Sequence, residues 1–433
     1  MNRRNQLLVL CGVALAVRLV VAGWWQTRIE GAFAFEDSQS YWELATRLAE
    51  GKTYQWGGPE GQVFRTPGYP WLLSGVIRLA GTEQGGVWAA RGFSAMCGTL
   101  AVLALYVLGR CTVGHVPAML AGWWMAVSPE PVSAGVLILG EAPFGPLMLM
   151  QLICVANAGK KIADRAAWWP IILWSIAAGL SAAAASLMRP SWLLFTPLLT
   201  VLAFVFIKPR KQTLCVGCVM LAALCAGMFP WWMRNYQVTG HFVPTTLQVG
   251  ASLYDGLNPI ASGASNFEPV NRASAQFRHN WLAHGRQIDA QYELALNRHL
   301  FHLGRNWALA HPGETLQLAA IKFQRTWNLW PNEPGLRSWP IRLTVCVAYL
   351  VVISGTALAG WKLWRTSLLP LDQPAGWMAG LLVLPAVYFS LLHVVFVGSI
   401  RYRQPALGPM ALLAAWAWWT YWQERKQLLL RGS

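Results

Sequence analysis

Apolar residues in this chain come in long runs rather than in the period-two alternation of strands. A helix needs ~20 mostly apolar residues to cross a bilayer. In hydrocarbon, only helices and closed barrels satisfy their own backbone. Ten runs fit a spanning helix: 7–25, 87–108, 116–137, 142–158, 169–187, 192–207, 214–232, 341–361, 376–397 and 405–422. The hairpin over 116–158 is broken by Pro129, Pro131, Pro143 and Pro146, which interrupt helices by removing a donor. Arg18 interrupts the first run, which is too long for a cleaved signal peptide and reads as an uncleaved span.

Two long segments separate these runs, 26–86 and 233–340. Loops of such length are usually functional. In the first, Tyr41, Leu44, Ala45 and Leu48 predict an amphipathic helix over 40–49, and Ser40-x-x-Glu43 fits a capping box. Leu72, Leu73, Val76, Ile77 and Ala80 predict a second over 71–80. Short helices of this kind lie in a membrane interface. The second segment predicts helices over 286–310 and 314–330, parted by His311-Pro312. The expected fold is an all-α polytopic membrane protein forming one integral-membrane domain. Only 423–433 follow the last run, so no soluble C-terminal domain is expected.

Composition agrees: 55% of the 433 residues are hydrophobic and 12% charged, against about 25% charged in globular domains. Many of the 26 Trp sit near the ends of the runs, where amphipathic rings favour the interface. The net charge of +16 is not a nucleic-acid footprint, because the cations are scattered among short loops and one long segment. The short loops on one side carry fourteen basic residues against Asp164, Asp372 and Glu424. By the positive-inside rule that side is cytoplasmic. Both termini then lie inside and both long segments outside, in an inner membrane. Seven of the eight cysteines fall inside apolar runs and Cys111 at the end of one; Cys215-x-x-Cys218 has no second pair to complete a zinc site.

Charges near a bilayer are costly and therefore candidates for function. Asp37, in Phe35-Glu36-Asp37-Ser38, stands just after the first run. It reads either as a general base for an acceptor hydroxyl or as a helix N-cap, with Glu36 able to exchange roles. Phe64-Arg65-Thr66-Pro67-Gly68-Tyr69-Pro70 is a turn that could aim Arg65 or Tyr69 at a site. Glu141, flanked by apolar residues, needs a partner or a cation. Arg189, Arg234, Arg401 and Arg403 fall at the outer ends of runs. Their planar donor forks suit phosphate oxygens, although each could simply snorkel. His279, His284, His299, His302 and His311, scattered through the second long segment, form no metal cluster, and His299-x-x-His302 lacks a neighbouring acid.

In order along the chain, these residues resemble the GT-C glycosyltransferases, membrane enzymes that use polyprenyl-phosphate sugar donors. The resemblance is to a bacterial branch related to the protein O-mannosyltransferases and the lipid A aminoarabinose transferase. It is carried by Phe35-Glu36-Asp37 through Tyr41; Arg65-Thr66-Pro67-Gly68-Tyr69-Pro70; Glu141; Pro230-Trp231 with Arg234-Asn235-Tyr236; Gly250, Tyr254, Gly256 and Asn258; His311-Pro312 with Lys322 and Trp327; and Arg401-Tyr402-Arg403 with Pro405. It implies Asp37 as catalytic base and Glu141 as second acid. Glu36, Tyr41, Arg65, Tyr69, Arg189, Arg234, Asn235, Tyr254, Asn258, Arg401 and Arg403 would then bind substrate.

The implied reaction is an inverting transfer of a hexosyl or pentosyl group from a polyprenyl-phosphate donor to a lipid, glycan or protein hydroxyl. No organic cofactor is implied, and a divalent metal is left open. The rivals are a flippase for a lipid-linked sugar and an inactive relative that assists envelope assembly. A transporter should show internal repeats, and the sequence shows none.

Overall fold

The computed structural model describes residues 2–29, 31, 33, 35–331, 338–366 and 374–431. Asp372, counted above among the short-loop acids, lies outside them. Among the described residues all regular structure is helical. In chain order the helices are α1 (Arg3–Gln26), α2 (Glu36–Ala49), α3 (Gly68–Ala80), α4 (Gln84–Thr112), α5 (His115–Val127), α6 (Pro129–Ala134), α7 (Glu141–Ala163), α8 (Trp168–Met188) and α9 (Phe195–Phe206). They continue with α10 (Arg210–Thr239), α11 (Val249–Gly256), α12 (Glu268–Ala283), α13 (Ala290–Ala310), α14 (Pro312–Thr326), α15 (Trp339–Arg365), α16 (Pro374–His393) and α17 (Ile400–Arg431).

Seven of these, α1, α4, α7, α8, α10, α15 and α16, are long and apolar enough to cross a membrane. The chain is a multi-pass membrane protein. The expected number of spans was ten. The run 192–207 forms only a twelve-residue helix, α9, after a 3-10 turn over Pro190–Trp192. The run 405–422 lies in the long α17, whose Trp and Pro lower its hydropathy. The run 116–137 is not one helix: it stops at Ser128 and restarts as α6.

The cause of that stop is Pro129. A helix carbonyl is met by the N–H four residues on, and proline has none, so Met125 O loses its partner. Arg18 of α1 supplies the missing donors. Fully buried, it gives Nη2 to Met125 O at 3.2 Å and Nη1 to Ala126 O at 3.3 Å and Ala14 O at 2.9 Å. Gly98 and Gly135 make room: a Cβ on either would stand within 2.7 Å of the guanidinium Nε. The arginine that seemed to interrupt α1 thus repairs a break in α5.

The first long segment folds as α2 and α3, which begin earlier than their periodicity predicts. Phe35 precedes α2 without a side-chain cap, so Asp37 is not an N-cap. Ser40 and Glu43 sit inside the helix and form no capping box; Glu43 instead accepts from Gly57 N at 3.2 Å. In the second segment α13 and α14 match the expectation closely. The pattern missed α12 because it is polar nearly all round, burying only Val270.

The two segments are laced together. Glu293 of α13 accepts from Gln62 N at 3.0 Å and Val63 N at 3.0 Å. Leu247 N donates to Val63 O at 2.9 Å. Arg234 of α10 gives Nη1 to Gln62 O at 2.5 Å and Nη2 to Tyr54 O at 3.1 Å. This lacing holds the stretch before Arg65 in place.

Candidate active site

The start of α2, the turn before α3, the first turn of α7 and the first turn of α17 meet at one end of the bundle. Asp37 is the second residue of α2, so its carboxylate sits at a helix N-terminus, which favours negative charge. Its Oδ1 lies 2.6 Å from Arg65 Nη2 and its Oδ2 3.2 Å from Arg401 Nη1. Arg401 also reaches Glu141 Oε1, through Nε at 2.7 Å and Nη2 at 2.6 Å. The result is one alternating chain of charge, Arg65–Asp37–Arg401–Glu141, drawn from residues 364 apart.

Arg65 is aimed by four further contacts. Its Nε meets Ser40 Oγ at 3.2 Å and its Nη1 meets Gln248 Oε1 at 3.1 Å. Its guanidinium lies 5.0 Å from the centroid of Tyr41 and 4.9 Å from that of Phe64, within cation–π range. Tyr41 packs edge-on against the fully buried Tyr69, centroids 5.1 Å apart. Tyr69 therefore backs Tyr41 rather than facing the site.

The two carboxylates differ in access. The Asp37 side chain is 36% exposed and that of Glu141 10%. A substrate can reach Asp37, while Glu141 stands behind Arg401. Burial pushes the Asp37 carboxyl up, but Arg65 and Arg401 outweigh it and hold the group below the usual carboxylate range. Asp37 is ionised at neutral pH.

Arg189, directly after α8, is close by and is electrostatically coupled to Glu141 and Arg401. Its guanidinium sits among the rings of Phe144, Phe389 and Tyr402 at 5.7, 5.5 and 5.7 Å. Its Nη1 is buried and has no hydrogen-bond partner. Tyr402 stacks on His393, centroids 3.9 Å apart.

Other residues singled out in the sequence are used elsewhere. Arg403, fully buried, pairs with Glu130 Oε1 at 2.6 Å, donates to Asn328 O and lies 3.8 Å over the Tyr349 ring. It ties α17 to α6. Arg234 is taken up by loop carbonyls, and Asn235 donates to Val243 O at 3.0 Å. Asn258 donates to Tyr254 O and Asp255 O and accepts from Ile260 N at 3.0 Å, which closes a turn. Tyr254, half-buried on α11, backs Gly304 of α13. Glu36 is exposed.

Sequence reasoning gave no place at the site to Gln248 or His393, took Ser40 only as a helix cap, and named Tyr402 only within a motif. Of the first two, only His393 carried a signal, as a titratable group inside an apolar run.

The site does not fit a metal held by protein ligands. Among the described residues no three His, Cys, Asp or Glu side chains group together. Three of the four carboxylate oxygens of Asp37 and Glu141 already face guanidinium groups.

A family model described as dolichyl-phosphate-mannose-protein mannosyltransferase matches residues 64–233, less than half of the chain. Among solved structures, the archaeal oligosaccharyltransferase AglB from Archaeoglobus fulgidus, in complex with an inhibitory peptide and a dolichol-phosphate, aligns over 99% of this chain at 13% identity with a TM-score of 0.61. Its apo form does so with a TM-score of 0.60, also at 13% identity over 99%. ArnT from Cupriavidus metallidurans, bound to undecaprenyl phosphate, aligns over 96% of this chain and 77% of its own at 16% identity, with a TM-score of 0.43. No curated protein matches. The chain spans about half the length of AglB, 51% and 52% of the two AglB chains. The shared architecture is the GT-C membrane fold.

Proposed function

We propose that the chain is an inverting glycosyltransferase, moving a sugar from a polyprenyl-phosphate donor to an acceptor hydroxyl at the outer face of an inner membrane. The observation that carries this is Asp37. It is a solvent-reachable, ionised carboxylate set between two guanidinium groups at one end of a membrane bundle. The AglB fold, solved with a dolichol-phosphate, and the matching family model support the same chemistry. The acceptor is a lipid, glycan or protein.

In the proposed reaction the acceptor oxygen bonds to the anomeric carbon as the bond from that carbon to the phosphate oxygen breaks. The acceptor proton passes to Asp37, and the lipid phosphate leaves as an anion. A carboxylate with a lowered pKa is a weak base in the ground state. It serves here because an oxocarbenium-like transition state acidifies the incoming hydroxyl before its proton moves. Arg401 and Arg65 stand ready for the leaving phosphate, and charge that develops there is best met by groups already in place. Arg189 offers the one of these guanidinium groups with a buried donor free of any partner. As phosphate draws Arg401 from Asp37, the Asp37 carboxyl becomes more basic when its proton is due.

Membranes containing the native chain or Asp37→Asn, given labelled polyprenyl-phosphate sugars, test this directly. One donor should be consumed by the native chain, with a loss of about 10²–10⁴ in rate for the variant at equal protein level. Equal turnover by both would remove Asp37 as base. Lipid-linked sugar that changes sides without being consumed would make the chain a flippase.

A further inference from the structure

A large cavity lies far from Asp37. It holds about 1040 Å³ and opens at the other end of the bundle, between the last turns of α7 and α9 and the first turns of α8, α10 and α16. From Glu141 to Gly159, α7 covers about 27 Å at about 1.5 Å per residue. That is close to the hydrocarbon thickness of a bilayer, roughly 30 Å. The volume is at the top of the range for small-molecule sites, roughly 300–1,000 Å³.

Two features define what it would hold. The inner wall is hydrocarbon: Val155, Ile171, Leu199, Met220, Leu382 and Leu413. The hydroxyls that line it are spent on their own helices, Thr112 on Leu108 O at 2.8 Å, Thr200 on Thr196 O at 2.9 Å and Thr213 on Pro209 O at 3.1 Å. A sugar or nucleotide would find few partners in there. At the mouth stand Lys160, Arg165 and Lys208 against one acid, Asp164. None of the four has a side-chain hydrogen bond or ion pair to another described residue, and all are exposed.

We propose that this cleft binds an anionic phospholipid. One acyl chain would enter between α7, α9 and α10, and its phosphate would meet Lys160, Arg165 and Lys208. A hydrocarbon-walled cavity with unpaired cations at its rim is complementary to a chain bearing an anionic head, and basic residues at a membrane surface select anionic lipid. The site is separate from the charge chain around Asp37 and from any donor bound there.

Native mass spectrometry of the delipidated full-length chain tests it, titrated separately with phosphatidylglycerol, phosphatidylcholine, polyprenyl phosphate and inorganic phosphate. Phosphatidylglycerol should bind as one tight adduct, at least ten-fold tighter than phosphatidylcholine. The adduct should weaken at least ten-fold both in the triple substitution Lys160→Gln, Arg165→Gln, Lys208→Gln, which alters only exposed side chains, and in Ala203→Trp, which fills the cavity. Asp37→Asn should bind it unchanged. Equal affinity for the two phospholipids overturns the proposal, as does undiminished binding to the triple variant. Polyprenyl phosphate displacing phosphatidylglycerol from the same residues overturns the choice of occupant. Inorganic phosphate binding as tightly as the lipid overturns the role of the hydrocarbon wall.

Discussion

Arg401 grips Glu141 through a single oxygen: Nε and Nη2 both reach Oε1, at 2.7 and 2.6 Å. That leaves Nη1 pointing the other way, where it meets Asp37 Oδ2 at 3.2 Å. Glu141 therefore fixes which face of Arg401 is presented to Asp37, and the shorter contacts lie on the more buried carboxylate. An arginine held in this manner cannot be replaced by lysine, whose ammonium is a point charge without a fork.

Arg401→Lys should preserve the net charge and lose the geometry. The pH profile of kcat/KM reads the effect. Asp37 is held below its usual range partly by Arg401, so loosening that contact raises its pKa. The acid limb of the profile, where Asp37 becomes protonated and inactive as a base, should move to higher pH. The rate at neutral pH should fall by up to about 10²–10³-fold, as expected when a preorganised donor is lost. An acid limb that stays in place while the rate falls would mean that Arg401 does not set the charge state of Asp37.

Arg189→Met keeps an apolar side chain among Phe144, Phe389 and Tyr402 and removes the unpaired donor. If Nη1 binds the donor phosphate equally in ground and transition states, KM for the lipid donor should rise about ten-fold with kcat nearly unchanged. A fall in kcat at constant KM would place Arg189 on the departing charge instead. Unchanged kinetics would leave it a packing residue.

Glu293 gives a stability prediction. Burial pushes its carboxyl up to about 7, only partly offset by the N–H groups of Val63 and Gln62. Its ordinary value is 4.5. Between those two pH values the unfolded chain has released the proton that the folded chain still holds, so stability falls as pH rises through that window. Thermal unfolding of the native chain in detergent should show Tm dropping from about pH 4.5 to about pH 7 and levelling above it. Glu293→Gln should flatten that dependence. An equally steep dependence in the variant would assign it to other groups.

The bundle was legible because spanning helices must be apolar over their whole length, and that pattern survives in a single sequence. Asp37 was legible for a related reason, since a charge beside apolar runs needs an explanation, and Arg65 because two prolines and a glycine mark the turn that carries it. Their partners were not. Gln248 is a neutral side chain in a loop, 183 residues from Arg65. Nothing in its neighbourhood says that it aims a guanidinium. Arg234 and Arg403 were grouped with Arg401 because all stand at span ends. Only packing distinguishes an arginine that spends its donors on carbonyls, or on Glu130, from one left at the site. The break at Ser128 shows the same limit: the prolines announced trouble in α5, but not that Arg18, 107 residues away, would repair it.

That repair has a consequence for how the chain is made. Until α1 is seated, α5 carries two carbonyls, Met125 O and Ala126 O, that hydrocarbon cannot satisfy. The earlier helix α1 is therefore the template on which the later α5 completes its hydrogen bonding, and insertion of α5 is conditional on insertion order. A chain with Arg18→Leu would keep every residue around Asp37 and still fail at biogenesis, because its fault would lie in the timing of assembly rather than in chemistry.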